Sequence, residues 1–389
     1  MWVERVADCC GASWRGNLYY QLVSTKASVS KHDRIRQSLI EAIASGQYEV
    51  GQRLPSEAQM VRTFAASRPT VNRALRDLQL SGIIERRAGS GSYVKADAVA
   101  RGFVFGLLIP ELGRTEIFEP ICSGMAEAQE GSHHVLLWGT SLGDPSNIEE
   151  QASIACRQLI AKKVSGVFFA PVELTNEKDA INQRIAELFD KAGIAVVLLD
   201  RDLVSYPQRS RYDLVGIDNR RAGHVITAHL LKSGCKRIVF LCRPRSAPTV
   251  DARISGYREA LAEAGIDFEP YVCRTALDDA SEVREVLQTV RPDGFVCAND
   301  FTAAHLLRTL NGLGVSVPGQ VRMAGIDDVK YASLLSVPLT TIHQPCAAIG
   351  TVAVNTMVER LRNPTLPPRD ILLNFHLVIR DSCGSRQVP

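Results

Sequence analysis

Arg68, Asn72, Arg73 and Arg76 fall within the stretch SRPTVNRALRDL at spacings that place all four on one side of a helix. Guanidinium groups donate in bidentate fashion to guanine O6 and N7, and an asparagine amide does the same to adenine, so this face has the chemistry to read base edges. A few residues on, Arg86 and Arg87 precede the bare run Gly89-Ser90-Gly91. A tip without side chains beside two cations can approach a phosphate backbone or a minor groove. Far downstream a second set of polar residues recurs, each time closing an apolar run: Asp200 and Arg201 after VVLL, Asp218 and Asn219 after LVGI, Asn299 and Asp300 after FVCA, Asp327 and Asp328 after MAGI. Carboxylates, amides and guanidinium groups gathered in one cleft suit a polyhydroxylated ligand, because each hydroxyl both donates and accepts. Phe118, Phe169 and Phe301 lie near the same ends and fit either stacking on a sugar ring or packing in a core. Asp218 and Asn219 fit ligand contact and a helix cap at a crossover between lobes equally well.

Two kinds of architecture are needed to position these groups. Over residues 28–95, Ile35, Leu39, Ile40 and Ile43 mark one face of a first helix that stops at Gly46. Ser56 followed by Gln59 fits a capping box opening a second helix, with Met60, Val61 and Phe64 inward. A third helix opens at Ser67, tolerates Pro69 in its first turn, turns Val71, Ala74, Leu75 and Leu78 to the core, and ends at Gly82. IIERR and SYV then alternate as two strands around a glycine-rich turn. The pattern predicts a helix-turn-helix with a basic wing.

Residues 31–94 resemble the winged helix-turn-helix of the GntR family closely: its G-x-x-LPSE, SR-x-TV-x-x-AL-x-x-L and G-x-G-x-x-V elements are all present. The resemblance implies that Glu57, Arg68, Thr70 and Arg73 stand at or near the operator-reading turn and that Gly91 belongs to the wing tip. Thr70, in the first turn, is placed to bond a phosphate or to stabilise the helix start.

From Phe103 onward the texture changes. FVFGLLIP, HVLLWG, SGVFFAP, IAVVLLDRD, DLVGID, KRIVFLC, DGFVCAND and VRMAGIDD read as buried strands, separated by amphipathic stretches such as NEKDAINQRIAELFDKAG. That alternation predicts an α/β body of doubly wound parallel sheets, and the number of strands suits two lobes. Ligands of such sheets bind beyond the C-terminal strand ends. Residues 102–383 are similar to the effector-binding part of LacI-family repressors, itself related to periplasmic sugar-binding proteins. The likeness is carried by ARISGYREAL, PDGFVCANDFTAAHLLRTL, VRMAGIDDVKYASLLSVPLTTIHQP and LVIRDSC, and is looser over the first half. It implies that Arg253 and Asp327 hold ligand hydroxyls, joined by Asp200, Asn299 and Gln344. The layout of a GntR head on a LacI-like body resembles the arabinose repressors.

Composition agrees with a division of labour. Residues 31–95 hold 11 Lys and Arg against 6 Asp and Glu, whereas residues 96–389 hold 31 against 34, so the basic excess sits in the small domain. The ten cysteines are scattered with no Cys-x-x-Cys pair, and most read as small core hydrophobes. No apolar run is long enough to span a membrane, and an acidic residue interrupts the N-terminus where a signal peptide has its apolar core. The expected organisation is a tail at 1–27, a DNA-binding domain at 28–95, a linker at 96–101 and an effector-binding, dimerising domain at 102–383. The expected protein is a cytoplasmic, homodimeric regulator that binds double-stranded operator DNA and a small effector, without cofactor or metal. A repressor of sugar-utilisation genes is the leading reading; a regulator answering a non-sugar effector or needing a co-repressor is the alternative. A nucleotide-dependent enzyme is disfavoured because no G-x-G-x-x-G follows any strand. A sugar-binding protein without a transcriptional role would leave the basic head unexplained.

Overall fold

The computed structural model describes residues 31–44, 47–80, 83–87, 89–95, 103–110, 116–128, 134–138, 147–266, 269–276 and 280–385. The expected tail at 1–27, the linker at 96–101 and the helix stops at Gly46 and Gly82 lie outside the described residues. Contacts divide the chain into two units, Met1–Ala100 and Arg101–Pro389.

The first unit contains helices α1 (Lys31–Ala44), α2 (Glu57–Thr63) and α3 (Arg68–Leu80), then an antiparallel hairpin of β1 (Ile84–Arg87) and β2 (Gly91–Val94). Ile35, Leu39, Ile43, Met60, Val71, Ala74, Leu75 and Leu78 form one buried core with Ile84 and Val94 of the hairpin. The apolar stripes therefore meet as their helical spacing requires. The Ser56–Gln59 capping box is formed in both directions, and the Ser67 hydroxyl accepts the Thr70 N–H at 3.4 Å at the start of α3.

The second unit alternates strands and helices: β3 (Val104–Leu108), α4 (Phe118–Glu127), β4 (Val135–Trp138), α5 (Ile148–Ala161), β5 (Gly166–Phe169), α6 (Lys178–Lys191), β6 (Ala195–Leu199), β7 (Asp213–Ile217), α7 (Asn219–Lys232) and β8 (Ile238–Cys242). It continues with α8 (Pro248–Glu263), β9 (Tyr271–Arg274), α9 (Ala280–Thr289), β10 (Gly294–Cys297), α10 (Asp300–Gly312), β11 (Arg322–Asp327), β12 (Thr340–His343), α11 (Cys346–Arg362), β13 (Asp370–Leu373) and β14 (His376–Val378). Two six-stranded sheets result. The first runs β4-β3-β5-β6-β7-β13, parallel throughout, and the second β9-β8-β10-β11-β12-β14, with only β14 antiparallel. All eight apolar runs singled out in the sequence are strands of these sheets.

The chain passes between the lobes three times. It leaves β7 for α7 at Asp218, leaves β12 for α11 through Gln344 and Pro345, and leaves β13 for β14 through Asn374 and Phe375. Helix α7 packs on α8 in the second lobe, so closely that a Cβ at Gly223 would stand 2.0 Å from the Arg253 carbonyl oxygen. Helix α8 is thereby locked to the element that begins at the crossover. The eight described cysteines are buried free thiols, and no helix of the described residues is long and apolar enough to cross a membrane.

Candidate functional site

On the head, α3 presents Arg68, Arg73 and Arg76 to solvent, opposite its buried stripe. The Arg68 side chain is 80% exposed. Asn72 and Arg86 differ from the expectation: both are half-buried and engaged with Glu57. One Glu57 oxygen accepts from Arg86 Nη2 at 2.6 Å, and the other lies 3.5 Å from both Arg68 Nε and Asn72 Nδ2. Arg86 Nη1 also donates to Asn72 Oδ1 at 2.8 Å. Glu57 in the first turn of α2 therefore ties the wing to the exposed helix. The Thr70 hydroxyl shares a 2.7 Å hydrogen bond with Ser67. Arg87 stays exposed, lies 4.7 Å over the Tyr93 ring and pairs with Glu85 at 3.3 Å.

Gly89 is exposed at the tip of the hairpin, and Gly91 has φ +122°, a region closed to most side chains. A Cβ at Gly91 would meet Arg53 Nε at 2.7 Å, so the glycine lets Arg53 lie against the tip. Arg53, paired through its backbone with Tyr93, was not singled out in the sequence; its place directly before LPSE was the available signal.

In the body, the C-terminal strand ends converge as predicted. Asp200 and Arg201 follow β6, Asn299 follows β10, Asp327 closes β11, and Gln344 follows β12. Asp200 has φ +66° and Asp327 φ +131°. Backbone strain of about 1–3 kcal/mol per such residue is characteristic of functional sites. Arg253 on α8 is 4% exposed. Its Nε donates to Asn219 Oδ1 at 2.8 Å, Nη1 donates to the Ala298 carbonyl at 2.5 Å, and Nη2 stands 3.8 Å from Asp327 Oδ1. Gln344 Nε2 donates to Asp327 Oδ1 at 2.7 Å.

Other predicted residues have structural partners. The Asn299 side chain accepts from the backbone and hydroxyl of Thr302, capping α10. Arg201 is hydrogen-bonded to Glu173, and its guanidinium lies 5.5 Å over the Phe118 ring. Phe118 and Phe169 are fully buried, while Phe301 is half-buried with Arg243 5.3 Å over its ring. Asp218 caps α7 by accepting the Arg221 N–H at 2.9 Å. Asn219 orients Arg253 and donates to the Ile217 carbonyl at 3.2 Å.

Glu173 was not picked out because the loop PVEL carries no motif. Its second carboxylate oxygen accepts the Ala247 N–H of the opposite lobe at 3.0 Å. Three further hydrogen bonds cross there: Lys178 Nζ to the Ser246 carbonyl at 2.9 Å, Arg245 Nη1 to Asn176 Oδ1 at 2.8 Å, and Leu174 N to the Arg245 carbonyl at 2.9 Å. The two loops clasp one edge of the cleft.

Burial dominates the electrostatics. It raises the Asp200 and Asp327 carboxyls above the ordinary value, against the opposing charges of Arg201 and Arg253 on the first and of Arg253 on the second. Burial likewise pushes Asp300 up to about 7, although the Thr341 hydroxyl and the Val329 N–H both donate to it. Glu173 is also disfavoured by burial, but the charge and hydrogen bond of Arg201 outweigh that and hold it below the ordinary value. A carboxyl raised in the fold contributes stability that is complete below its unfolded pKa and is lost as pH rises through the folded value. Between pH 6 and pH 8, Asp300 alone should therefore lower the stability of the body by on the order of 1 kcal/mol. Urea denaturation at the two pH values checks this, and a higher midpoint at pH 8 would contradict the assignment.

A winged helix-turn-helix joined to a two-lobed body with a polar cleft at its strand ends is the architecture that fold and sites define. Residues 31–94 match the bacterial regulatory proteins of the gntR family, and residues 227–383 match the periplasmic binding protein-like domain. One chain thus carries a gntR-type segment at 31–94 and a periplasmic binding protein-like domain at 227–383. It is 26% identical over 373 residues to the arabinose metabolism transcriptional repressor of Geobacillus stearothermophilus, covering 91% of this chain and 98% of the relative. Two solved structures share the fold. The transcriptional regulator CelR–cellobiose complex superposes with a TM-score of 0.60 at 23% identity, covering 88% of this chain and 98% of that one. A LacI family transcriptional regulator from Enterococcus faecium with bound ribose gives 0.58 at 22%, covering 72% and 98%.

Proposed function

We propose that the protein is a ligand-responsive transcriptional regulator, a repressor of sugar-utilisation genes whose operator binding is altered by a small sugar. The observation that carries this reading is the coexistence in one chain of a base-reading helix face and a buried polar cleft of strand-end residues. The relative named for arabinose metabolism and the neighbours holding cellobiose and ribose support the choice of effector.

On the head, Arg68, Arg73 and Arg76 face the major groove, and Thr70 faces a phosphate at the start of α3. Arg53 and Arg87, with Gly89 and Gly91, bring the wing to the backbone. Glu57 positions Arg68, Asn72 and Arg86 at the reading face, where its carboxylate can also accept from a cytosine amino group. A homodimer is required because one small module makes too little contact for useful specificity.

In the body, Asp200, Arg253, Asp327 and Gln344 hold the effector, while Asn219 and Asn299 shape the frame around them. Arg201 and Phe118 act one step back, through the Glu173 clasp and the core. Effector binding favours one arrangement of the two lobes. Coupling to the head needs a free energy of about 1–3 kcal/mol. Release of DNA on binding is the direction this reading takes.

Fluorescence anisotropy with a labelled fragment from upstream of the protein's own gene tests the assignment, using an unrelated duplex as competitor. Saturable binding that survives the competitor is expected; equal binding to both duplexes would refute it. On the same fragment, Arg68→Ala should weaken binding by about 1–3 kcal/mol without altering effector affinity. An unchanged operator affinity would remove Arg68 from the reading surface.

A further inference from the structure

The wing alternates its side chains between two faces, and one of them packs on the head. Ile84, Ser92 and Val94 are buried and Arg86 is tied to Glu57, so that face serves the fold. The register pairs Glu85 with Tyr93 and Arg87 with Gly91, which sets these residues on the outer face. A bridge from Arg53 to Tyr93 lays a further extended segment beside β2, held by Leu54 N to the Ser92 carbonyl at 2.9 Å and Val94 N to the Gln52 carbonyl at 3.1 Å. Arg53, Tyr93 and Glu85 therefore lie side by side across the wing, with Arg87 nearer its tip.

Tyr93 stands at the centre of that outer face, and each part of it has a partner. Its hydroxyl shares a 2.7 Å hydrogen bond with the Ser90 hydroxyl and donates to the Ser90 carbonyl at 3.3 Å. Its ring carries the Arg87 guanidinium 4.7 Å from the ring centre, within the range at which a cation is drawn to an aromatic face. Glu85 accepts from Arg87 Nη2 at 3.3 Å, a second restraint on the same group. The turn closes on these residues too, through Ser90 N to the Arg87 carbonyl at 3.0 Å. A tyrosine needed only for packing would face the core with Ile84 and Val94, whereas Tyr93 is half-buried on the opposite side. Arg87 stays exposed, so the held guanidinium is presented outward.

An exposed pair with Glu85 holds little by itself. A long cationic side chain at an exposed tip loses rotamer freedom when it grips a phosphate, and that loss is subtracted from affinity. A ring beneath a planar guanidinium restricts it in advance. We infer that Tyr93 is a positioning residue for operator binding: its ring holds Arg87 ready for a backbone phosphate, while its hydroxyl, committed to Ser90, fixes the ring to the turn. This rests on the reading of the head as an operator-binding domain and deepens it.

The test is a double-mutant cycle on the full-length protein, read by anisotropy over a range of salt concentrations with the fragment from upstream of its own gene. Arg87→Ala should weaken binding and lower the slope of log affinity against log salt by about 1, the mark of one lost phosphate contact. Tyr93→Leu should weaken binding by about 3-fold to 10-fold, and Tyr93→Phe by about twofold or less because the ring stays under Arg87. Adding Tyr93→Leu to Arg87→Ala should cost nothing further, since the group that the ring positions is already gone. A leucine that merely disturbed the wing would cost the same in both backgrounds, and such additivity overturns the inference. An Arg87→Ala variant with the parent's affinity and slope overturns it as well, as does a Phe variant as weak as the Leu variant, which would assign the effect to the hydroxyl. These outcomes leave the operator-binding reading standing. Failure of the parent to prefer the operator fragment over an unrelated duplex removes that reading and the inference with it.

Discussion

Arg253→Ala is expected to abolish the effector response while operator binding stays within about twofold of the parent. The guanidinium is buried among Asn219, the Ala298 carbonyl and Asp327, so its removal strips three groups of a partner at once. Truncating one member of a buried, hydrogen-bonded charge pair costs about 2–5 kcal/mol, which is about 30-fold or more in affinity. The same change takes from Asp327 the cation 3.8 Å away and from Asp200 one of two opposing charges, and burial already raises both carboxyls. Calorimetric titration with the effector, paired with anisotropy on the operator fragment, separates the two functions. Normal effector binding by the variant would defeat the assignment of Arg253, and loss of both activities would mean that the head requires an intact cleft.

The second large effect concerns stability rather than recognition. Asp213 is 1% exposed at the start of β7 and accepts from Arg360 Nε at 2.9 Å, from the Arg369 backbone N–H at 2.9 Å and from Arg369 Nε at 3.4 Å. It thereby ties α11 and the edge strand β13 to the first lobe. Asp213→Ala removes the only carboxylate that faces both arginines at that strand end among the described residues, apart from Glu359 on Arg369. Breaking a buried ion pair from one side costs about 3–5 kcal/mol; partial exposure of both arginines places the expected loss near the lower figure. Urea denaturation of the body should show it as a reduced midpoint with an unchanged slope. A loss below about 1 kcal/mol would mean that the arginines find water as good a partner as Asp213.

Much of this architecture was legible because its signals are local. The three helices of the head follow from apolar stripes and capping residues, each a matter of spacing within a few positions. Seven interior strands and the edge strand β4 announce themselves as apolar runs, since parallel strands covered on both faces must be apolar throughout. The strands not read from sequence are of another kind. β9 and β13 lie at sheet edges, β9 with both ends exposed and β13 with alternating exposure, β14 is three residues long, and β12 reads TTIH, with two buried threonines in place of aliphatic residues.

The site was legible in its strand ends and much less so in its pairings. Asp200, Arg253, Asp327 and Gln344 come together as the motifs implied. Arg201 does not stand free in the cleft, because its partner Glu173 lies 28 residues earlier in a loop without a motif. Asn219 could be read as a cap or as a contact, and only its 2.8 Å hydrogen bond to Arg253 shows what its side chain does. Arg86 looked like a phosphate contact of the wing, yet Glu57 holds it from 29 positions away. Such partners are chosen by tertiary packing, and no spacing rule along the chain encodes them.

Coupling between cleft and head is the step on which a sugar-responsive regulator depends. Operator affinity measured by anisotropy, with and without saturating D-ribose, L-arabinose or cellobiose, tests it in one titration. At least one neutral sugar should shift the dissociation constant by about 5-fold to 150-fold, with Arg253→Ala blind to it. Tight operator binding that no member of the panel shifts, together with no heat of binding to any of them, would contradict the claim that this protein is a sugar-responsive regulator.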